Sequence, residues 1–328
     1  MAEIVIREPT RDDLPAIDGL YRAVKGRGRP ESVTRHRFFD TPWGDSTSLI
    51  ALDGDMCVSA LLIWPAALRV GNEVVLGGQG TDAATHPDYR ARPRLFVGLA
   101  RQAKQLLAER GLYVYYTFPN TRSIKLTKWT GGTYLGEVGT WGVELGGRRR
   151  LLRRRRREAD GLLAAGSQLP EIAPLAESAL GGEAVIRIDK SRTWLDWRYS
   201  EATAERYEWL LLEADGSVAA AALVGERDPS SWGPDFAGLL RIHELFALNG
   251  EAAEALLRRV VAYAEQWPGA RKLDVLVKDP VLERAVEQAG FGRQDTRPVT
   301  AFVFREGLPL DPLEFSHWRL ISGDVDFF

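Results

Sequence analysis

A helical pattern of apolar residues follows a short strand pattern in the first half of the chain. The spacing predicts a helix from about Arg92 to Glu109. Its apolar residues recur on one buried face, at Leu95, Leu99, Ala103, Leu106 and Leu107. The strand is predicted before it, around Gly80–Thr85, and the turn His86-Pro87-Asp88-Tyr89-Arg90 joins the two elements.

This turn has the features of an anion site. A loop that opens a helix presents unpaired backbone N–H groups at the positive end of the helix dipole. That geometry favours a phosphate or pyrophosphate group. Arg90, Arg92 and Arg94 lie in the same turn and add positive charge.

The other patterns in the first half predict a mixed, mostly antiparallel sheet with helices on both faces, ending near Leu145. Strands are predicted at Ile4–Arg7, Ser48–Leu52 and Cys57–Trp64, the last two joined by the turn Asp53-Gly54-Asp55. A helix with its apolar face at Leu14, Ile17, Leu20, Tyr21 and Val24 follows the first strand. Beyond the long helix come an aromatic strand at Leu112–Phe118, a short helix at Ser123–Trp129, and a strand from Thr133.

The second half repeats this order. Strands are predicted at Val218–Val224, Leu239–Leu248, Lys272–Val277 and Val299–Phe304, with helices at Glu251–Trp267 and Pro280–Ala289. Gly290 corresponds to Gly131 of the first half. An internal repeat of this length predicts a tandem fold.

Composition limits the class of protein. The chain has 328 residues, a formal net charge of −2 and one cysteine, Cys57, so it cannot carry an internal disulfide framework. A reducing compartment, the cytoplasm, is therefore the expected location. One cysteine and four histidines give no zinc pattern, and no metal is expected. The N-terminal stretch has no apolar region of a signal peptide, and no apolar run approaches the length of a membrane span.

The stretch 147–182 has a different composition, because eight of the ten residues from Arg148 to Arg157 are arginines. A solvated linker helix, contacts with ligand phosphates, and nucleic-acid binding are the three interpretations. No aromatic residue is interleaved, and acidic residues elsewhere balance the charge. The linker helix is therefore favoured, and no nucleic-acid or membrane partner is expected.

The loop and the elements after it resemble the GNAT (Gcn5-related N-acetyltransferase) family. The family's signature is a strand followed by V-x-P-x-Y and then by R/Q-x-x-G-x-G/A at the start of a helix. This sequence matches it at Thr85, Pro87, Tyr89 and Arg90. Pro119-Asn120, the short helix, Gly131 and the next strand follow in the family's order. Two positions depart from the signature: its glycine is Pro93 here, and its G/A position falls on Leu95.

The resemblance implies an α/β (α+β mixed) fold of two tandem GNAT-like domains. The expected division is a first domain over 1–146 with the cofactor loop, the arginine-rich linker 147–182, and a second domain with a C-terminal arm over 183–328. The second domain carries Asn249-Gly250-Glu251 where the loop would lie, and Glu251 would repel a pyrophosphate. We therefore expect a scaffold copy there.

The family binds acetyl-CoA or another acyl-CoA, with the pantetheine arm between two splayed strands. The residues that the resemblance assigns to this cofactor are Ala83, Ala84, Thr85, Arg90, Ala91, Arg92, Arg94, Leu95, Asn120 and Ser123. The family's tyrosine acid corresponds to Thr127, whose hydroxyl pKa is too high for that role.

Candidates for catalysis and acceptor binding are less specific. Asp82 and Glu244, at corresponding positions of the two copies, are the candidate bases for the amine. The aromatic and basic residues expected to wall an acceptor pocket are His36, Trp43, Trp194, Trp197 and Arg198. Core packing is the alternative for the tryptophans.

The predicted function is acyl-CoA-dependent transfer of an acyl group, acetyl in the first instance, to a primary amine of a small molecule such as an amino sugar. The alternatives are a degenerate acyl-CoA-binding or scaffold protein, and acyl transfer involving a carrier protein.

Overall fold

The helices and strands form close to the predicted positions. The computed structural model describes residues 4–44, 47–120, 123–146, 162–166, 172, 175, 185–200, 206–226 and 236–325. In the first half the elements are β1 (Val5–Arg7), α1 (Leu14–Lys25), α2 (Glu31–Phe39), β2 (Leu49–Asp53), β3 (Met56–Val70), β4 (Glu73–Thr85), α3 (Pro93–Glu109), β5 (Val114–Thr117), α4 (Ile124–Trp129) and β6 (Thr133–Glu144).

The elements beyond residue 160 repeat part of this order. They are β7 (Leu162–Gly166), β8 (Ile186–Ile188), α5 (Arg192–Arg198), β9 (Arg206–Ala214), β10 (Ser217–Glu226), β11 (Leu239–Ala247), α6 (Gly250–Ala264), β12 (Lys272–Lys278), α7 (Pro280–Gln288), β13 (Gly292–Val303) and β14 (Leu320–Ile321). The predicted arginine-rich linker helix at Arg148–Arg157 lies outside the described residues.

The described strands form one sheet in the order β1-β2-β3-β4-β5-β13-β6-β12-β11-β10-β9-β7, with β8 beside β3 and β14 beside β12. Most neighbours are antiparallel, whereas β4–β5 and β11–β12 are parallel. These two parallel pairs, each connected through a long helix, confirm the repeat predicted from the sequence.

The two halves exchange strands at the centre of the sheet. β13, from the end of the chain, pairs with β5 on one side, where Thr300 faces Thr117. Its other edge pairs with β6, and β6 in turn pairs with β12. The predicted domains therefore share one continuous sheet, and their exact bounds stay a prediction.

Helices cover the two faces of β3–β5. On the face that we call the α3 face, Leu61 and Ile63 pack with Leu99 and Leu107, as the helical spacing predicted. On the opposite face, which we call the α1 face, Leu62 and Trp64 pack with Leu20 and Phe38. The C-terminal arm also packs on the body, because Trp318 is fully buried in the α1-face cluster.

Candidate active site

Strands β4 and β5 separate halfway along β4 and leave a cavity. Their pairing runs from Gly77 opposite Val114 to Gly80 opposite Thr117, whereas β4 continues to Thr85. The cavity beyond this point measures about 230 Å³. Its walls include Asp82, Ala83, Phe96, Lys104, Tyr115, Asn120, Ser123, Thr127 and Phe302. The edge of β4 that faces this cavity can accept an extended ligand as an added strand.

A β-bulge lies at this edge. Ala60 faces Ala84 and Leu62 faces Thr81, so Asp82 and Ala83 together oppose one residue of β3. Asp82 has a φ of 44°, in the left-handed region that non-glycine residues rarely adopt. The hydroxyl of Tyr21, on α1, donates to the Asp82 carbonyl oxygen at 2.8 Å. The bulge is thereby attached to α1.

The carboxylate of Asp82 is buried between two arginines. Arg29 Nη1 and Arg37 Nη1 lie 2.7 and 2.5 Å from its Oδ2, and the carboxylate side chain is 1% exposed. Burial alone would raise the pKa of Asp82, but the charges of Arg29 and Arg37 lower it to about 2. A carboxylate with that pKa is a poor acceptor for an ammonium proton, so the geometry does not support the predicted base role. It fits a residue that fixes the bulge.

The arginines predicted to bind an anion lie together at the start of α3. Arg90, Ala91, Arg92 and Arg94 are exposed there. Arg90 Nε donates to the Thr85 carbonyl oxygen at 3.3 Å, and the Arg92 guanidinium lies 4.8 Å from the ring of Tyr89. Tyr89 is itself held by a 2.6 Å hydrogen bond to Asp53.

Leu95 differs from these neighbours. Its side chain is only 9% exposed and packs in the α3-face core. Only its backbone could therefore face a cofactor.

The far wall of the cavity is built by the turn before α4. Ser123 donates through its backbone N–H and its hydroxyl to Asn120 Oδ1, at 2.9 and 3.1 Å. Thr127 lines the cavity, but its hydroxyl donates to the Ser123 carbonyl oxygen at 3.1 Å. The position of the family's tyrosine is therefore occupied by a short, internally bonded side chain.

Tyr115, which the sequence pattern predicts only as part of a strand, lines the same cavity. Its hydroxyl lies against Gly80, where an added Cβ would be 2.1 Å away, at the last paired position before the strands separate. Burial raises the pKa of Tyr115 to about 12, so the hydroxyl keeps its proton at neutral pH. In the sequence, the aromatic run Tyr113–Tyr116 is the only indication of this role. The register of β4 and β5 is needed to identify which tyrosine faces the cavity.

The corresponding opening in the second half is filled by the chain itself. Pairing between β11 and β12 is confined to Leu239–Arg241 and Lys272–Asp274. Beyond it, β14 pairs with β12, and Ser322 Oγ accepts a hydrogen bond from the Leu276 backbone at 2.8 Å. The C-terminal segment occupies this opening.

Glu244 belongs to this second opening. Its Oε1 accepts hydrogen bonds from Lys190 Nζ at 2.7 Å and from the Tyr199 hydroxyl at 2.6 Å, and Lys190 also donates to Asp324. Gly323 packs so closely that an added Cβ would lie 2.1 Å from Glu244 Oε1. Glu244 is fully buried, and burial raises its pKa although Lys190 opposes the shift. It does not line the first-half cavity with Asp82.

The residues predicted to wall an acceptor pocket do come together, as a packed cluster. The rings of Trp43 and Trp194 lie 5.4 Å apart, and His36 stacks on Trp197 at 5.3 Å. Trp194 is fully buried and Trp197 is 9% exposed. Arg198 Nε donates to the carbonyl oxygen of Gly323 at 3.2 Å. The tryptophan rings are largely buried against their neighbours, as the core-packing alternative predicts. The acceptor role stays a prediction.

Within the described residues, no group of three or more His, Cys, Asp or Glu side chains could hold a metal ion. Among the same residues, no helix has the length and apolar character needed to cross a membrane.

Comparisons with known proteins agree with this geometry. Residues 5–128 match the family model described as acetyltransferase (GNAT) domain. No curated protein matches the chain. Solved structures share the fold at low identity, among them three GNAT proteins. A GCN5-related N-acetyltransferase from Anabaena variabilis has 12% identity and a TM-score of 0.63, and the match covers 92% of this chain and 73% of that one.

A tandem GNAT protein from the clavulanic acid biosynthesis pathway has 12% identity and a TM-score of 0.58, with 93% of this chain and 100% of that one covered. A GCN5-related N-acetyltransferase from Kribbella flavida has 16% identity and a TM-score of 0.58, with 92% and 71% covered. Residues 5–128 thus match a GNAT acetyltransferase domain, and the chain as a whole shares the fold of a tandem GNAT protein.

Proposed function

We propose that the protein is an acyl-CoA-dependent N-acyltransferase that transfers an acyl group, acetyl in the first instance, to the primary amine of a small molecule. The observation that carries this proposal is the cavity between β4 and β5, beside a free strand edge and an arginine-rich helix start. An amino sugar is one acceptor of the required kind.

The residues around the cavity fit acyl-CoA. An extended pantetheine arm would add to the edge of β4 at Asp82–Thr85, and the pyrophosphate would meet the start of α3 with Arg90, Arg92 and Arg94. Bound there, acyl-CoA would supply an activated acyl thioester. The backbone N–H groups near Ala83–Thr85 would stabilise negative charge on a carbonyl oxygen.

Two side chains have roles that follow from their protonation. Asp82, ionised and paired with Arg29 and Arg37, holds the bulge in place and does not exchange protons near neutral pH. Tyr115 remains protonated and can donate a hydrogen bond at the point of strand separation. Neither side chain is suited to take the amine proton, which would pass to water before the amine attacks.

Isothermal titration with acetyl-CoA tests the cofactor assignment. Replacing Arg90 and Arg92 together by Ala should raise Kd at least tenfold, because each charge-assisted contact to a phosphate is worth about 1.5–3 kcal/mol. A variant with Arg192→Ala and Arg258→Ala carries the same change in charge at exposed helix positions and should bind as the wild type does. Equal affinity in both variants would contradict the site.

The lack of an assigned base favours a second candidate, an acyl-CoA-binding protein without transfer activity. Release of free CoA thiol in the presence of a panel of amines separates the two. Binding without thiol release for any amine would favour this second candidate.

A further inference from the structure

The α1 face of β3 and β4 carries buried polar atoms that have no hydrogen-bond partner. They are Trp64 Nε1, both amide atoms of Gln79, and Thr81 Oγ1. Gln79 is 0% exposed and Trp64 is 1% exposed. Buried polar groups are nearly always paired in native proteins, and each unpaired one costs free energy. Several such groups on adjacent side chains are therefore available to pair with a bound polar group.

These atoms belong to adjacent side chains. Trp64 on β3 directly faces Gln79 on β4, and Leu62 faces Thr81 two positions along. Side chains in such register positions are neighbours on one face of the sheet. From α5, Trp197 meets the Trp64 ring edge-on at 5.3 Å and Trp194 lies 5.2 Å from Trp197. The indole Nε1 atoms of both are also buried without partners. We call these five side chains the polar patch.

The polar patch adjoins the acyl site across strand β4. Thr81, whose side chain is on the α1 face, is also part of the wall of the cavity between β4 and β5, and it immediately precedes the bulge at Asp82 and Ala83. A group bound on the patch would thus lie beside the backbone that we propose to hold the thioester carbonyl. An amine held there would approach the thioester from the α1 face of the sheet.

The chemistry of the patch limits what it can bind. Three indole N–H groups and the Gln79 NH₂ group can only donate hydrogen bonds, whereas Gln79 Oε1 can only accept one. The Thr81 hydroxyl can do either. Donors outnumber acceptors, so the complementary ligand has several oxygen acceptors close to its amine. An alkyl or aryl amine would leave these donors unpaired.

We infer that the polar patch binds the acceptor of the acyl transfer and selects a small, oxygen-rich amine, such as an amino sugar or a hydroxylated amino acid. The inference rests on the proposed acyl transfer. It goes further by naming the residues that determine specificity and the class of acceptor that they favour.

The test uses Thr81→Val, which removes a hydroxyl with little change in shape, and Trp64→Phe, which removes the indole N–H together with part of the ring. The matched controls are Trp141→Phe and Thr300→Val, which remove buried unpartnered groups on β6 and β13. The amines are glucosamine and serine against hexylamine and benzylamine. Turnover is followed as release of CoA thiol, and acetyl-CoA affinity by isothermal titration.

We expect kcat/KM of the wild type to be at least tenfold higher for glucosamine or serine than for the two apolar amines. Trp64→Phe and Thr81→Val should each raise KM for the preferred amine at least tenfold, with acetyl-CoA affinity within twofold. Both control variants should keep the wild-type values. A site built around hydrogen bonds rejects ligands that lack them, and the paired controls exclude a general effect of the substitution.

Other results would overturn the inference without touching the proposed function. Efficient turnover of hexylamine, or unchanged KM in folded Trp64→Phe and Thr81→Val proteins, would mean that the patch does not select the acceptor. Ligand-observed NMR of the wild type with glucosamine and serine, without CoA, gives an independent reading. Binding there that is lost in Thr81→Val would support the patch even if acetyl-CoA failed to bind.

Discussion

Between β4 and β5 the sheet opens onto a cavity, whereas between β11 and β12 the corresponding opening holds the end of the chain. Both pairs are parallel and both part after a few residues. In the first half, Asp82, Arg29 and Arg37 form a buried ion group that stabilises the strand edge and leaves the opening free. In the second half, Lys190, Glu244 and Asp324 form another, and it ties the C-terminal segment into the opening.

A repeated fold can thus keep the same strand geometry in both copies while an open cavity remains in one copy and the other is filled by its own chain. A ligand at the first opening would add a strand to β4, and in the second half β14 already adds one to β12. The helix starts differ in the same sense, because α3 begins among exposed arginines whereas α6 carries Glu251 in its first turn. The two ion groups can be perturbed separately.

The largest effect is expected from Lys190→Met. It would leave Glu244 and Asp324, both almost fully buried, without their shared cation. Breaking a buried ion group by removing one partner costs about 3–5 kcal/mol of unfolding free energy. Urea denaturation would measure it, with the exposed Arg192→Ala variant as control. A loss below about 1 kcal/mol would mean that the second opening is held by packing alone.

Acid should weaken the first ion group next. The pKa of Asp82 is about 2 in the folded protein against an ordinary value of 3.8. Because the folded value is the lower one, the stabilisation is complete above about pH 5 and is lost as pH falls through 2, by about 2.5 kcal/mol in all.

Unfolding free energies measured from pH 5 to pH 2 would give the slope. An Asp82→Asn protein, which has no carboxyl group at this position, should have a flatter slope over the same interval. Equal slopes in the two proteins would contradict the assigned pKa.

A smaller effect is expected from Tyr115→Phe in the open site. The variant loses one hydroxyl at the point of strand separation and keeps the ring, which stacks on Phe302 at 5.0 Å. We expect kcat to fall about tenfold, equivalent to about 1.4 kcal/mol, with acetyl-CoA affinity nearly unchanged. Steady-state kinetics would measure both. The hydroxyl has no role in transfer if kcat stays at the wild-type value while the melting temperature also holds.

The smallest effect is expected at Cys57. Its thiol is 1% exposed, and burial raises its pKa to about 12, so almost no thiolate exists at neutral pH. Cys57→Ala should retain turnover, and iodoacetamide should not inactivate the native enzyme. Loss of turnover with an intact fold would point to an acyl-cysteine step in place of direct attack by the amine.

The sequence was sufficient to predict the features that depend on residues close together in the chain or on the order of the elements. The spacing of Leu95, Leu99 and Ala103 predicted α3, and the repeated order of elements predicted the tandem fold. The arginines around Asp82 could not be predicted, because Arg29 and Arg37 lie 53 and 45 positions away in sequence and only folding brings them to the bulge.

The other features of the site depend on the register of the strands, that is, on which residues of neighbouring strands face each other. A run of three tyrosines in LYVYYTF gives no indication that Tyr115 faces the cavity while Tyr116 faces the opposite side of the sheet. Trp64, Gln79 and Thr81 likewise become one patch only when β3 and β4 are paired. For Trp194 and Trp197 the sequence left core packing and acceptor binding as alternatives. Their rings are buried in a packed cluster, and their indole N–H groups have no hydrogen-bond partner, so the structure is compatible with both alternatives.

The exchanged central strands also affect how the protein is made. β5 emerges from the ribosome roughly 180 residues before β13, the strand that covers its open edge. At a translation rate of about 5–20 residues per second, that edge waits roughly 10–40 s for its partner. An unpaired strand edge in a nascent chain is a template for aggregation. We therefore expect the yield of folded protein to depend on chaperones that shield this edge, and a gene truncated after β6 to produce insoluble material.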